Sequence, residues 1–244
     1  MRIVLAALGF KNRDVTYNKN IIINTLKKYS KQADMIVFGE SFLQGFYSIV
    51  FNYEEDQKIA LPMESNIIKD IKDCSKKYGI AVSFGYFELF EKSIYSSQIT
   101  IDKNGNIINN YRRISSGWKE VNSGPEYKEG KNFNSFVFEN RTFSVGLCGD
   151  LWDEDNIKKM NDIKSDFVLW PVYTDFNSIE WNKKEKYEYA TQAGKLERPV
   201  LYVNSYNLDM NEDDSAKGGA CLFSKCMIKN EIQSGKEDVL IIEI

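Results

Sequence analysis

Cys148 closes an apolar run, Phe143-Ser144-Val145-Gly146-Leu147, and Gly149 follows at once; Asp150, Trp152, Asp153 and Glu154 then read as the start of a helix. A strand that turns sharply into a helix lifts the turn residue off the sheet edge. It also aims free backbone N–H groups into the space beside it. A thiol held there can be a nucleophile with a lowered pKa and an oxyanion site at its elbow. A lone cysteine in such a run more often ends a buried strand as a small apolar residue, so the case rests on its neighbours in space. The chain has no histidine. That excludes Ser-His-Asp and Cys-His catalysis and every His-ligated metal centre. The base for Cys148 must then be a carboxylate or a lysine. Cys74, Cys148, Cys221 and Cys226 lack metal-site spacing, so neither a metal nor a cofactor is expected.

Two further charged residues sit where strands should end. Glu40 follows the short apolar run Met35-Ile36-Val37-Phe38. Arg113 follows the strand that leaves the Asn104-Gly105 hairpin turn. Alone, each would be a solvated loop carboxylate and a surface ion-pair partner. In α/β architectures, however, reacting groups gather where strands end and loops begin. Phe46, Tyr47, Trp118, Trp152, Trp170 and Tyr173 fall near the same ends and are candidates to wall a pocket.

The elements that position these residues alternate between sheet and helix. Strands are expected over 3–8, 35–38, 80–87, 96–101, 107–112, 133–138, 142–147, 167–170, 200–204, 219–223 and 239–243. Helical spacing marks 18–29, through Ile21, Ile22, Thr25, Leu26 and Tyr29, and 66–78, which Gly79 terminates. Further helices are expected near 153–160 and over 181–196. Many strands with few helices between them suggest two packed sheets with helices outside, in one domain spanning 1–244.

Composition agrees with a globular chain: 43% hydrophobic, 27% charged, net charge −3. No basic field exists for nucleic acid or an anionic membrane. Met1–Leu8 is apolar but ends at Lys11-Asn12-Arg13-Asp14, too short for a signal peptide or a span. Unpaired thiols then suggest the cytoplasm. Asn211-Glu212-Asp213-Asp214 reads as a solvated charged loop.

The ordered landmarks resemble the nitrilase superfamily of carbon–nitrogen hydrolases along nearly the whole chain. Ala33 through Glu40 resembles the segment "A-D-hydrophobic-hydrophobic-x-x-P-E", and Gln44-Gly45-Phe46 resembles the "x-G-Y" after it. Tyr78-Gly79-Ile80 through Gly85 and Glu88 matches the next landmark. Asp102 through Arg113 is similar to "D-x-x-G-x-x-x-x-x-Y-x-K", and Val145 through Asp150 to the cysteine segment. Asp166–Pro171 and Arg198 through Asn204 resemble the later strands.

The resemblance implies an α/β fold, a four-layer αββα sandwich, and a Glu-Lys-Cys triad. Glu40 would be general base and Cys148 nucleophile. Gly149 N–H and the family's lysine would be the oxyanion donors. The lysine position here holds Arg113, and the usual His-Leu after it is Ser115-Ser116. Arginine keeps the positive charge and would favour a Cys148 thiolate, but it does not readily give up a proton. Lys119 is the alternative basic group. Glu120, ahead of Glu126, is the candidate second acid. The expected binding residues are Phe46, Tyr47, Gly149, Trp152 and Tyr173. The implied activity is hydrolysis of a small-molecule amide by a homodimer or larger homo-oligomer. The alternatives are a catalytically degraded scaffold and an acyltransferase.

Overall fold

The apolar runs pair into two six-stranded sheets in the computed structural model, which describes residues 1–209 and 215–244. The charged run 211–214 lies outside the described residues. The first sheet runs, in spatial order, Asp238–Glu243, Arg2–Ala7, Met35–Phe38, Ala81–Phe90, Ser93–Ile101 and Ile107–Arg112. The second runs Met227–Ile232, Ala220–Ser224, Val200–Asn204, Phe167–Val172, Arg141–Val145 and Ser135–Phe138. In each, parallel central strands are buried on both faces and therefore read as unbroken apolar runs.

Ile3, Leu5, Met35 and Val37 from one sheet meet Phe143, Val145, Leu169 and Leu201 from the other to form the central core. The helices Val15–Tyr29 and Asn66–Tyr78 close the outer face of the first sheet through Ile22, Leu26, Ile68 and Ile71. Ser65 caps the second of these from its side chain and Gly79 ends it in the left-handed conformation. Glu154–Asp162 and Lys186–Ala193 close the outer face of the second sheet. The result is the αββα sandwich.

Two departures from the expectation stand out. The segment read as one helix over 181–196 is a π-helical stretch Trp181–Glu185 followed by an α-helix Lys186–Ala193, with a short helical turn Ser178–Glu180 ahead of it. The wider turn accompanies two side-chain placements: Trp181 stacks on Tyr202 at 4.9 Å and Lys186 Nζ reaches Glu231 at 2.7 Å. The strand Met227–Ile232 was not expected, because it is an edge strand with little buried surface and so shows no apolar period. Its hairpin turns on Lys225 and Cys226, both at positive φ, without the glycine or asparagine that usually marks such a turn.

Candidate active site

Glu40 leaves the strand Met35–Phe38 at the end where the sheets face each other, and its backbone N–H donates to the Val172 carbonyl of the second sheet (3.2 Å). The following Ser41 is left-handed, at φ 51°. This turn lies directly on the neighbouring strand. A Cβ at Gly85 would overlap the Ser41 nitrogen and stand 2.7 Å from the Glu40 Cα, so only glycine admits it. Glu40 is wholly buried. Its Oε1 accepts from Arg113 Nη1 (2.8 Å) and Ser96 Oγ (2.9 Å), while Oε2 is buried with no hydrogen-bond partner among the described residues.

Arg113 directly follows the strand Ile107–Arg112 and is almost fully buried. Besides Glu40 it donates from Nε to Ser115 Oγ (2.9 Å). Its remaining arm reaches the cysteine elbow: a Cβ at Gly149 would stand 2.9 Å from Nη2. Burial opposes the charge, but Glu40, Cys148 and Asp150 outweigh it and hold the guanidinium above its already high ordinary pKa. Arg113 is therefore a fixed cation.

Cys148 opens the short 3₁₀ turn Cys148–Trp152 at φ 42°, a left-handed conformation that is uncommon for a side chain with a Cβ and that clusters at functional sites. Two side chains secure this elbow. Trp170 donates from its indole to the Cys148 carbonyl (2.8 Å). Asp150 Oδ2 accepts from Leu147 N–H (2.9 Å) and Tyr111 O–H (2.6 Å), and Oδ1 accepts from the N–H groups of Ile114 (3.0 Å) and Ser115 (2.7 Å). One buried carboxylate thus ties the elbow to the loop just after Arg113.

The thiol donates to the Tyr173 carbonyl at 3.5 Å. Cys148 is partly accessible, yet deep enough that burial pushes its pKa up to about 12; Glu40 adds to the rise and Arg113 offsets part of it. The lowered pKa expected from the sequence is therefore corrected. The arginine is present, but desolvation outweighs it, and the free protein carries a neutral thiol at pH 7.

The structure brings Glu40, Arg113, Cys148, Gly149 and Tyr173 together. Phe46 joins them by stacking on the Tyr173 ring (4.3 Å, 6° between planes), and Tyr47 by an edge contact with it (5.5 Å). Lys119 is engaged elsewhere, with Glu129 (2.7 Å) and the Tyr127 carbonyl (2.7 Å), and lines a cavity mouth beside the exposed Glu120. Glu126 lies outside that lining. Trp152 turns to the outer face of the second sheet, packing on Tyr189 (4.9 Å) and Trp170 (6.2 Å). Among the described residues, no group of three or more His, Cys, Asp and Glu is placed to hold a metal, and no helix is long and apolar enough to cross a membrane.

Ser96, Ser115, Tyr111 and Asp150 were not singled out from the sequence. One signal was available: Ser96-Ser97-Gln98 is a polar run in the middle of a strand, and all three are buried. Buried polar groups need partners, and here Ser96 serves Glu40 while Ser97 serves Glu88 (2.8 Å).

A two-sheet sandwich that gathers a buried carboxylate, a fixed cation and an elbow cysteine at its strand ends has the parts for acyl transfer from nitrogen. The sequence model of the carbon-nitrogen hydrolase family matches residues 5–206, and the chain belongs to that family. Among curated relatives it is 20% identical over 169 residues to an (R)-stereoselective amidase of Pseudomonas, covering 69% of this chain and 59% of the relative. It is 25% identical over 164 residues to a citrullinase of Francisella tularensis, covering 63% and 56%. The chain thus spans less than two thirds of the length of these relatives. Among solved structures, a CN-hydrolase superfamily protein of Xanthomonas campestris superposes at a TM-score of 0.79 with 17% identity over 99% of this chain and 89% of that one. An amidase of Nesterenkonia does so at 0.76 with 15% identity over 100% and 92%. These likenesses establish the fold.

Proposed function

We propose that the protein hydrolyses a small amide through an acyl-enzyme on Cys148, with Glu40 as general base. The observation that carries this reading is the asymmetry of Glu40. Arg113 and Ser96 occupy Oε1, and the buried Oε2 has no donor. An unpartnered carboxylate oxygen in the interior is costly, and the thiol that it raises is the nearby proton source. Oε2 takes the Cys148 proton as sulfur attacks the amide carbon, so no free thiolate accumulates; Glu40 then returns the proton to the departing nitrogen. Arg113 Nη2 and the Gly149 N–H supply positive character where the oxyanion forms. Water, deprotonated by Glu40, releases the acid and restores the thiol.

The test is ammonia release from a panel of small amides, with the intact protein's mass recorded during turnover. Cys148→Ala is expected to abolish release, and Glu40→Gln to reduce it by about 10²–10⁴. An acyl adduct should appear on Cys148. Unchanged release from Cys148→Ala would overturn the reading; no release from any amide would favour a scaffold. Transfer of the acyl group to added amine in place of water would favour an acyltransferase. The family resemblance also supports a homodimer, which light scattering at micromolar concentration checks.

A further inference from the structure

We propose that the substrate is a primary amide whose acyl group is apolar and about the size of a phenyl ring, rather than an amino-acid side-chain amide or a ureido acid. This rests on the amidase reading above and deepens it. A cavity of about 480 Å³ is walled by Phe46, Tyr47, Ile49, Phe51 and Trp118. Both its walls adjoin residues of the site. Gly117 borders it, and a Cβ there would stand 3.1 Å from Arg113 Nη2. Phe46, on the other side, stacks on Tyr173, whose carbonyl accepts the Cys148 thiol. In this proposal a group bonded to the attacked carbon projects into this cavity.

The segment around Glu40 is closed to solvent. Glu40, Ser41 and Phe42 are each wholly buried. The nitrogen must leave beside Glu40, so the enclosure there suits ammonia and leaves the bulk of the substrate to the acyl side. Acyl transfer then balances as R–CO–NH₂ plus thiol giving R–CO–S–Cys and NH₃, followed by water giving R–COOH and thiol.

The cavity's walls set its preference. Trp118 is buried and held by Phe87 (6.1 Å) and Tyr127 (6.4 Å), and Phe51 by Tyr127 (5.3 Å), so the aromatic surface is fixed in place. Rigid aromatic walls favour flat apolar groups. The lining contains one cation, Lys119, and its charge is already met by Glu129, while Glu120 stands exposed at the mouth. A substrate carboxylate entering here meets a like charge and an engaged cation.

The experiment compares kcat/KM for phenylacetamide, acetamide, glutamine and citrulline in wild type and Trp118→Ala. In parallel, thermal shifts of Cys148→Ala with each compound read binding without turnover. Phenylacetamide is expected to exceed acetamide by about 10²-fold, with glutamine and citrulline below both. Trp118→Ala should collapse that ratio to within a few-fold. Hydrolysis led by glutamine or citrulline, or a ratio near one, would overturn the proposal while leaving the amidase reading intact. Stabilisation of Cys148→Ala by phenylacetamide without hydrolysis in wild type would uphold the cavity's preference and sink the activity. No shift and no hydrolysis would end both.

Discussion

Replacing Asp150 by asparagine tests whether one carboxylate couples the cysteine elbow to the arginine loop. Its two oxygens take four donors: Leu147 N–H and Tyr111 O–H on one, Ile114 N–H and Ser115 N–H on the other. An amide has a single acceptor oxygen, so whichever way it turns, one pair of donors faces an NH₂ group. If the NH₂ faces Tyr111, the hydroxyl can rotate to accept from it, and only Leu147 N–H is orphaned. If it faces the loop, both Ile114 and Ser115 are orphaned. Each buried orphan costs about 1–3 kcal/mol, and the two or three bonds kept lose their charge assistance. The sum is about 2–4 kcal/mol. At roughly 2–4 °C per kcal/mol for a chain near this size, the Tm should fall by roughly 5–15 °C.

Stability alone would not distinguish a staple from any other buried hydrogen bond. Leu147 precedes the nucleophile, and Ile114 and Ser115 follow Arg113, so loosening them lets the guanidinium and the thiol drift apart. Turnover on the best amide, measured well below the variant's Tm, should then drop by about 10²-fold, the scale of a 1 Å misplacement. KM is expected to change little, because the aromatic cavity does not touch Asp150. Urea melts, thermal melts and steady-state kinetics on the same preparations suffice. A Tm within 2 °C of wild type, or a lowered Tm with full kcat, would refute the coupling.

Four further outcomes are expected. Arg113→Ala leaves Glu40 buried without its ion pair, which costs about 3–5 kcal/mol, and should lose both activity and much stability; Arg113→Lys should keep more of each, while Lys119→Ala should leave turnover on acetamide far closer to wild type than Arg113→Ala does. Gly85→Ala forces the Glu40–Ser41 backbone off the strand and should depress turnover and Tm together, which kinetics and melts of that variant check. Cys148 is an acid whose folded pKa, about 12, lies above its ordinary 9.0. The folded state thus holds the proton that the unfolded state releases, so this contribution to stability is full below pH 9 and is lost as pH rises from 9 towards 12; urea melts across that window should show a shallower loss in Cys148→Ala. For the same reason N-ethylmaleimide at pH 7 should label the exposed Cys226 before Cys148.

What could be read from the sequence, and what could not, divides along a physical line. The central strands were legible because burial on both faces leaves an uninterrupted apolar run, as in Met35-Ile36-Val37-Phe38. Glu40, Arg113 and Cys148 were legible as strand-end residues in a chain that lacks histidine, and they converge because Met35–Phe38 and Ile107–Arg112 run the same way in one sheet while the strand before Cys148 lies in the sheet facing it. The edge strand Met227–Ile232 was not legible, since main-chain hydrogen bonds hold it and no side-chain period records them. The sign of the Cys148 shift was not legible either. It is a contest between Arg113, whose identity is in the sequence, and burial, which exists only after Trp170, Tyr173 and Glu40 close around the sulfur. Asp150 shows the same limit from the other side. In the chain it is a carboxylate two residues past a cysteine, which any helix start would welcome. In the fold it faces inward, because Tyr111 and the turn at Ile114-Ser115 arrive from the other sheet with donors that need an acceptor. Local propensity and tertiary demand select the same residue for different reasons, and only the second makes it a part of the site.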